Sequence, residues 1–170
     1  MSNKINLYEF QADLASRLQA SQEKGASSLL GFQVEADYWL VNLSDSGEVL
    51  PLTPISSVPL VKNWFLGLTS IRGDLYAVTD FSLFQGKGAI AHNAHSRLLL
   101  IGTRFGSNAA LLVSRVLGLR HRDNLAPDNM VDPDTPSWVG EVFMDNEGIR
   151  WKTLNIPLLL ADKRFMDIGL

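Results

Sequence analysis

Residues 61–80 read VKNWFLGLTSIRGDLYAVTD, and this stretch leaves the backbone few options. Trp64, Phe65 and Leu66 form an apolar segment that runs into Gly67. Ser70-Ile71-Arg72-Gly73-Asp74 makes a polar tip, and Leu75 to Val78 reads as a strand closed by Thr79 and Asp80. Gly73 is free to take positive φ, so the chain can reverse there. The apolar residues on either side need burial, which holds Arg72 at the tip of a stiff corner. A long cation so placed is presented to a partner or tied down locally, to its own corner's carbonyls, to Asp74 or to Asp80. Trp64 to Thr69 is expected to make one helical turn before the corner.

The remaining chain divides by period. Leu7, Phe10, Leu14 and Leu18 recur at helical spacing, which predicts a helix over Asn6 to Lys24. Asn6 and Glu9 have capping-box spacing, and Gly25 is placed as a stop. That helix either packs on its own domain or docks a partner or another copy. From residue 27 the pattern becomes short extended runs. Leu29–Val34 and Tyr38–Leu43 flank a turn at Ala36-Asp37, and Glu48-Val49-Leu50 starts another strand. Pro51, Pro54 and Pro59 then keep the approach to Trp64 out of helix. Arg97–Thr103, Ala109–Val113 and Val116–Leu119 are further strands. Residues 85–96 and 123–137 read as surface loops. Val139–Met144 and Gly148–Leu154 form a last hairpin, after which Asn155 caps a short helix with Pro157 in its first turn. One helix, eight to ten short strands and a short terminal helix predict a mainly β chain of small barrels or a sandwich.

Composition narrows the function. At 170 residues a single domain suffices. With a net charge of −3 and no run of more than two adjacent Lys or Arg, an electrostatic footprint for nucleic acid is missing. Cysteine does not occur, which removes disulfides, thiol nucleophiles and thiolate metal ligands. No apolar run approaches the roughly 20 residues that span a bilayer, and no secretory signal is read. The expected location is therefore cytoplasmic, without membrane insertion.

Residues that might carry chemistry do not assemble. His92 and His95 make an H-x-x-H pair without further ligands nearby in sequence. Gln85-Gly86-Lys87-Gly88 lacks phosphate-loop spacing. Asp128, Asp132, Asp134 and Asp145 fall in two turns, where Asp satisfies its own backbone. No nucleophile, base and orienter can be grouped around Ser56, Ser57 or Ser114. The expectation is a non-enzyme with no cofactor and no metal.

The order Pro59, Phe65-Leu66-Gly67, Ser70-Ile71-Arg72-Gly73 and Val78-Thr79-Asp80-Phe81 resembles the signature of the CheW family, the adaptors of bacterial chemotaxis arrays. The resemblance runs from about Gly31 to Pro157, and its type IV pilus (twitching) branch is the most similar. Ser70 replaces the family's Asn, and Thr79-Asp80-Phe81 its Val-Asp-Leu. Val113-Ser114-Arg115-Val116 lacks the acid of a V-D-x-V pattern, which implies partners different from those of ordinary arrays.

The resemblance implies two five-stranded barrels around a shared apolar seam. It divides the chain into an N-terminal helical extension, 1–26, and a CheW-like domain, 27–170. It implies an adaptor that joins the regulatory domain of a CheA-like histidine kinase to the cytoplasmic tip of a methyl-accepting chemoreceptor, at arrays near the inner membrane or the cell pole. Glu48, Val49, Arg72 and Gly73 are then the partner-binding residues, with Glu48 and Val49 on the groove that takes the receptor helix. From the residues alone Glu48 reads equally as a solvated edge charge. A small-molecule-binding barrel is the alternative.

Overall fold

A computed structural model describes residues 9–17, 28–130 and 132–170. Among the described residues, eleven strands form two sheets. Hairpin β1 (Ser28–Val34) and β2 (Asp37–Asn42) turns at Glu35-Ala36. It is followed by β3 (Ser46–Pro51), β4 (Phe65–Ile71), β5 (Asp74–Asp80), β6 (Arg97–Ile101), β7 (Ala109–Val113), β8 (Arg115–His121), β9 (Ala126–Asp128), β10 (Val139–Met144) and β11 (Arg150–Leu154). One sheet runs β8-β1-β2-β11-β10-β9 and the other β3-β6-β7-β5-β4. Pairing is antiparallel except for β2 with β11 and β5 with β7. The expected mainly β, two-barrel architecture is met, with the three-residue β9 as a sixth strand on the first sheet.

The five-stranded sheet is drawn toward closure by the proline-rich segment after β3. Ser56 and Leu68 exchange backbone hydrogen bonds of 2.8 and 2.9 Å. Thr53 and Thr69 hydroxyls lie 2.6 Å apart, and Thr69 donates to the Pro54 carbonyl at 2.8 Å. Gly67 makes this approach possible. Its φ is +133°, and a Cβ there would stand 2.0 Å from the Ser56 carbonyl oxygen. The glycine between the apolar segment and the corner is thus required by backbone contact.

A run of aromatic rings joins the two halves. Trp39 of β2 packs edge-on against Phe81 at 5.2 Å and stacks on Trp138 at 5.9 Å. Trp138 meets Phe84, Phe84 meets Trp64, and Trp64 stacks on Phe165. Each of these side chains is buried. The seam holds because Phe81 and Phe84 lie on α2 (Phe81–Phe84), a turn that Asp80 fixes. The Asp80 carboxylate accepts from the N–H groups of Ser82, Leu83 and Ile90 at 2.9–3.0 Å, satisfying donors that the helix start leaves free. Leu98 to Ile101 and Leu111 to Val113 fill the adjoining interior. A smaller core of Leu29, Leu40, Phe143 and Trp151 lies in the six-stranded sheet.

Several expectations need correction. Trp64 to Thr69 makes no helical turn. Burial alternates along β4, and its pairing with β5 outweighs any local preference. The loop over 123–137 contains β9, and α2 is a helix that the sequence reading lacks. The capped terminal helix forms as expected: α3 (Ile156–Ala161) has Asn155 as its N-cap, accepting from the Leu158 N–H, and α4 (Lys163–Met166) follows. The N-terminal helix, α1, is described over residues 9–17, all exposed, with Phe10 and Leu14 at 57% and 50%. Those two side chains of the apolar stripe are therefore not packed on the domain. Asn6, Lys24, Gly25 and the boundary after residue 26 lie outside the described residues.

Candidate partner-binding site

The β4–β5 hairpin is closed by Arg72 and Gly73 alone, since Ile71 pairs directly with Asp74. Both turn residues have positive φ, +52° for Arg72 and +86° for Gly73, as a two-residue turn matched to strand twist requires. Gly73 adopts this freely, and a Cβ there would meet nothing within 4 Å. Arg72 adopts it at a cost of about 1–2 kcal/mol. Ile71 is buried beneath, so the guanidinium is carried on an anchored corner.

Arg72 bonds neither its own corner nor Asp80, which is buried and occupied by α2. Its Nη2 donates to Oε1 of Glu48. Glu48 sits on β3 and Arg72 at the end of β4, the two outer strands of the sheet. The ion pair therefore spans the edges that the Ser56–Leu68 bonds bring together. The Arg72 side chain is 72% exposed and that of Glu48 37%. Glu48 is a partly exposed carboxylate on an edge strand, paired with Arg72. Val49 pairs with Leu99 and is half-buried against the main core. The structure thus joins Arg72 to Glu48 and puts Gly73 and Val49 next to them in sequence. Sequence reasoning missed the left-handed Arg72, although a two-residue loop would have required it.

Other residues weighed for chemistry serve their own turns. Asp128 pairs with Arg150 at 2.9 Å, and Asp132 accepts from the Asp134 N–H. Asp145 accepts from the N–H groups of Glu147 and Ile149 and from the Trp151 indole, each at 2.9 Å. Burial acts to raise the Asp145 pKa. The Trp151 bond, the two backbone bonds and the charge of Arg120 outweigh it, and the carboxyl lies below its ordinary value. His92 and His95 are exposed on their loop, and His121 is on β8. No group of three or more His, Cys, Asp or Glu side chains could hold a metal ion among the described residues. Ser114, at the position where an acid was expected, accepts from the Glu35 N–H at 2.8 Å and so supports the β1–β2 turn. No described helix is long and apolar enough to cross a membrane.

Comparison with known proteins gives three findings. A family model described as the CheW-like domain matches residues 28–164, a span that includes all eleven described strands and every seam ring but Phe165. Protein PilI of Pseudomonas aeruginosa is 30% identical over 109 residues, 64% of this chain and 61% of that protein. The match thus takes in less than two thirds of the curated relative. The crystal structure of the scaffolding protein TtCheW from Thermoanaerobacter tengcongensis superposes with a TM-score of 0.68. It covers 82% of this chain and 95% of that one at 17% identity, a likeness of fold.

Proposed function

This chain belongs to the CheW-like domain family, and from that premise we propose that it is a non-enzymatic adaptor coupling a chemoreceptor to a CheA-like histidine kinase in a chemotaxis-like system for type IV pilus twitching motility. The observation that carries the reading is the extent of the family match, which covers both sheets and all of the seam between them but Phe165. The similarity to PilI supports the pilus-directed branch. Its partners are the regulatory domain of the kinase and the cytoplasmic tip of a methyl-accepting receptor, reached through different faces. Control of the kinase follows because both partners bias one assembled geometry.

Glu48, Val49, Arg72 and Gly73 are the residues proposed to meet these partners. Their support is the ion pair on an exposed, anchored corner. An arginine held in left-handed backbone, with most of its side chain in water, points to a role outside its own fold. The adaptor works in the cytoplasm at receptor arrays, contacts no nucleic acid and does not enter the membrane. The extension over 1–26 is separate from the domain over 27–170. The test is reconstitution: the protein, the kinase regulatory domain and a receptor cytoplasmic fragment are mixed and separated by size. A ternary complex supports the reading, and failure to retain either partner sinks it.

A further inference from the structure

Helix α1 holds its apolar stripe in water. Phe10 and Leu14 are exposed, and beside them Asp13 and Arg17 form an exposed i, i+4 ion pair at 3.0 Å, which adds little to a helix. A short amphipathic helix is marginal in water by itself and owes its stability to a surface under its apolar face.

A surface of matching character lies where the extension enters the domain. β1 begins at Ser28, whose carbonyl accepts from the Leu43 N–H at 3.2 Å. Arg104 ties the turn after Leu43 to Phe105: its Nη1 donates to the Asp45 carboxylate at 3.0 Å, and its guanidinium lies over the Phe105 ring. On the other side of β1, Leu119 of β8 is the register partner of Leu30, and Leu30 that of Val41. Leu119 therefore continues the sheet face that Leu30 and Val41 bury in the main core. Leu43, Phe105 and Leu119 are 38%, 43% and 56% exposed. Three large apolar side chains thus border the core at the end of β1 that the extension joins.

We propose that α1 docks on its own domain, with Phe10 and Leu14 against Leu43, Phe105 and Leu119. Ten residues, 18–27, join the described helix to Ser28. That length spans at most about 35 Å, enough to fold back over a patch beside Ser28. The tether gives the helix an effective concentration of about millimolar order, which a second copy in dilute solution does not match. An anionic membrane is a poor rival. Residues 1–26 hold Lys4, Arg17 and Lys24 against Glu9, Asp13 and Glu23, so the helix lacks the basic face that such a surface attracts. The structure shows the undocked member of this equilibrium. β3, the strand of Glu48, starts at the turn that Arg104 holds, so a docked helix also lies beside the proposed partner site. The docking does not rest on the adaptor reading, and either can fail without the other.

The test uses the full ¹⁵N-labelled chain with a nitroxide on one introduced thiol, Ala12→Cys, on the face of α1 away from the stripe. No native cysteine competes for the label. The nitroxide should broaden the amide resonances of Leu43, Phe105 and Leu119 and spare Ala36, at the far turn of the β1–β2 hairpin. Phe10→Ser combined with Leu14→Ser should abolish the broadening. Phe105→Ser or Leu119→Ser, which leave the helix sequence intact, should lower the docked-to-undocked ratio about fivefold, as half-exposed apolar side chains allow. The proposal is overturned if the three resonances broaden no more than Ala36, if the stripe variant broadens them like the wild type, or if neither surface variant weakens the effect. It is also overturned if ¹⁵N chains without nitroxide, mixed with spin-labelled ¹⁴N chains, broaden as strongly, which would put the helix on a second copy.

Discussion

Arg72 and Glu48 are 24 residues apart in sequence and bonded in space, one at the tip of an edge hairpin and the other on the opposite edge of the same sheet. The pair is too exposed to stabilise the fold by more than about 1 kcal/mol. What it fixes is the direction of two side chains, at low entropic cost to a partner that reads them.

That relationship separates two substitutions. Arg72→Ala removes the guanidinium but leaves a Cβ in left-handed backbone, whereas Arg72→Gly removes both. The expected order in urea melts has Arg72→Gly more stable than Arg72→Ala by about 1 kcal/mol, with Arg72→Ala within about 1.5 kcal/mol of wild type. Both should fail to assemble with the receptor and kinase. An Arg72→Ala protein that assembles normally would remove Arg72 from the site.

Gly67 gives a sharper stability prediction. With φ at +133° and the Ser56 oxygen 2.0 Å from a would-be Cβ, Gly67→Ala must push the proline-rich segment off β4. Both Ser56–Leu68 hydrogen bonds are then lost. The expected cost is about 3–5 kcal/mol, the range of overpacking combined with broken backbone bonds. Denaturant titration measures it, and a loss below about 1 kcal/mol would mean that the closure is loose.

Local signals carried much of the fold. Gly73, the Asn155 cap and the last hairpin are each specified within a few residues, and each lies where the pattern puts it. The run from Trp64 to Thr69 failed because six mostly apolar residues show no clear period. Their strand state comes from pairing with β5 and contact with Ser56. α2 was hidden because it is one turn long and depends on Asp80, a residue that ends a strand and caps a helix at once. The partner of Arg72 was illegible for a related reason: Glu48 reaches it only after the sheet edges approach, and neither residue signals the other in sequence.

The pH dependence of stability follows from Asp145. Its folded pKa is lowered, so its contribution is fully present above the unfolded value of about 3.9 and is lost as pH falls through the folded value. Asp145→Asn should therefore lower stability at pH 7 and flatten the loss between roughly pH 4 and the acid end. Melting curves followed by tryptophan fluorescence test this, and parallel acid profiles for variant and wild type would contradict it.

Deleting residues 1–26 should leave a folded domain. β1 begins at Ser28 and pairs on both sides, with β2 and β8, while residues 9–17 are exposed. The truncated chain should melt cooperatively and keep dispersed tryptophan N–H resonances. A molten or insoluble product would show that the extension belongs to the core.

Glu48→Lys tests the groove assignment. Two cations would then face each other across the sheet edges, and the corner would lose the acid that orients Arg72. Stability should fall by no more than about 1 kcal/mol, because both groups are exposed enough for water to screen them. Receptor affinity should fall further, by about 1–3 kcal/mol, since a favourable charge contact becomes repulsive. Kinase binding should change less, because that partner is assigned to another face. The exchanged pair, Glu48→Arg with Arg72→Glu, separates the two roles of these residues. It restores the ion pair and hence the melting temperature, but it presents inverted charges, so receptor binding stays weak. Full recovery of receptor binding in the exchanged pair would show that the ion pair acts only within the fold. Equal losses for kinase and receptor in Glu48→Lys would place Glu48 outside the receptor groove.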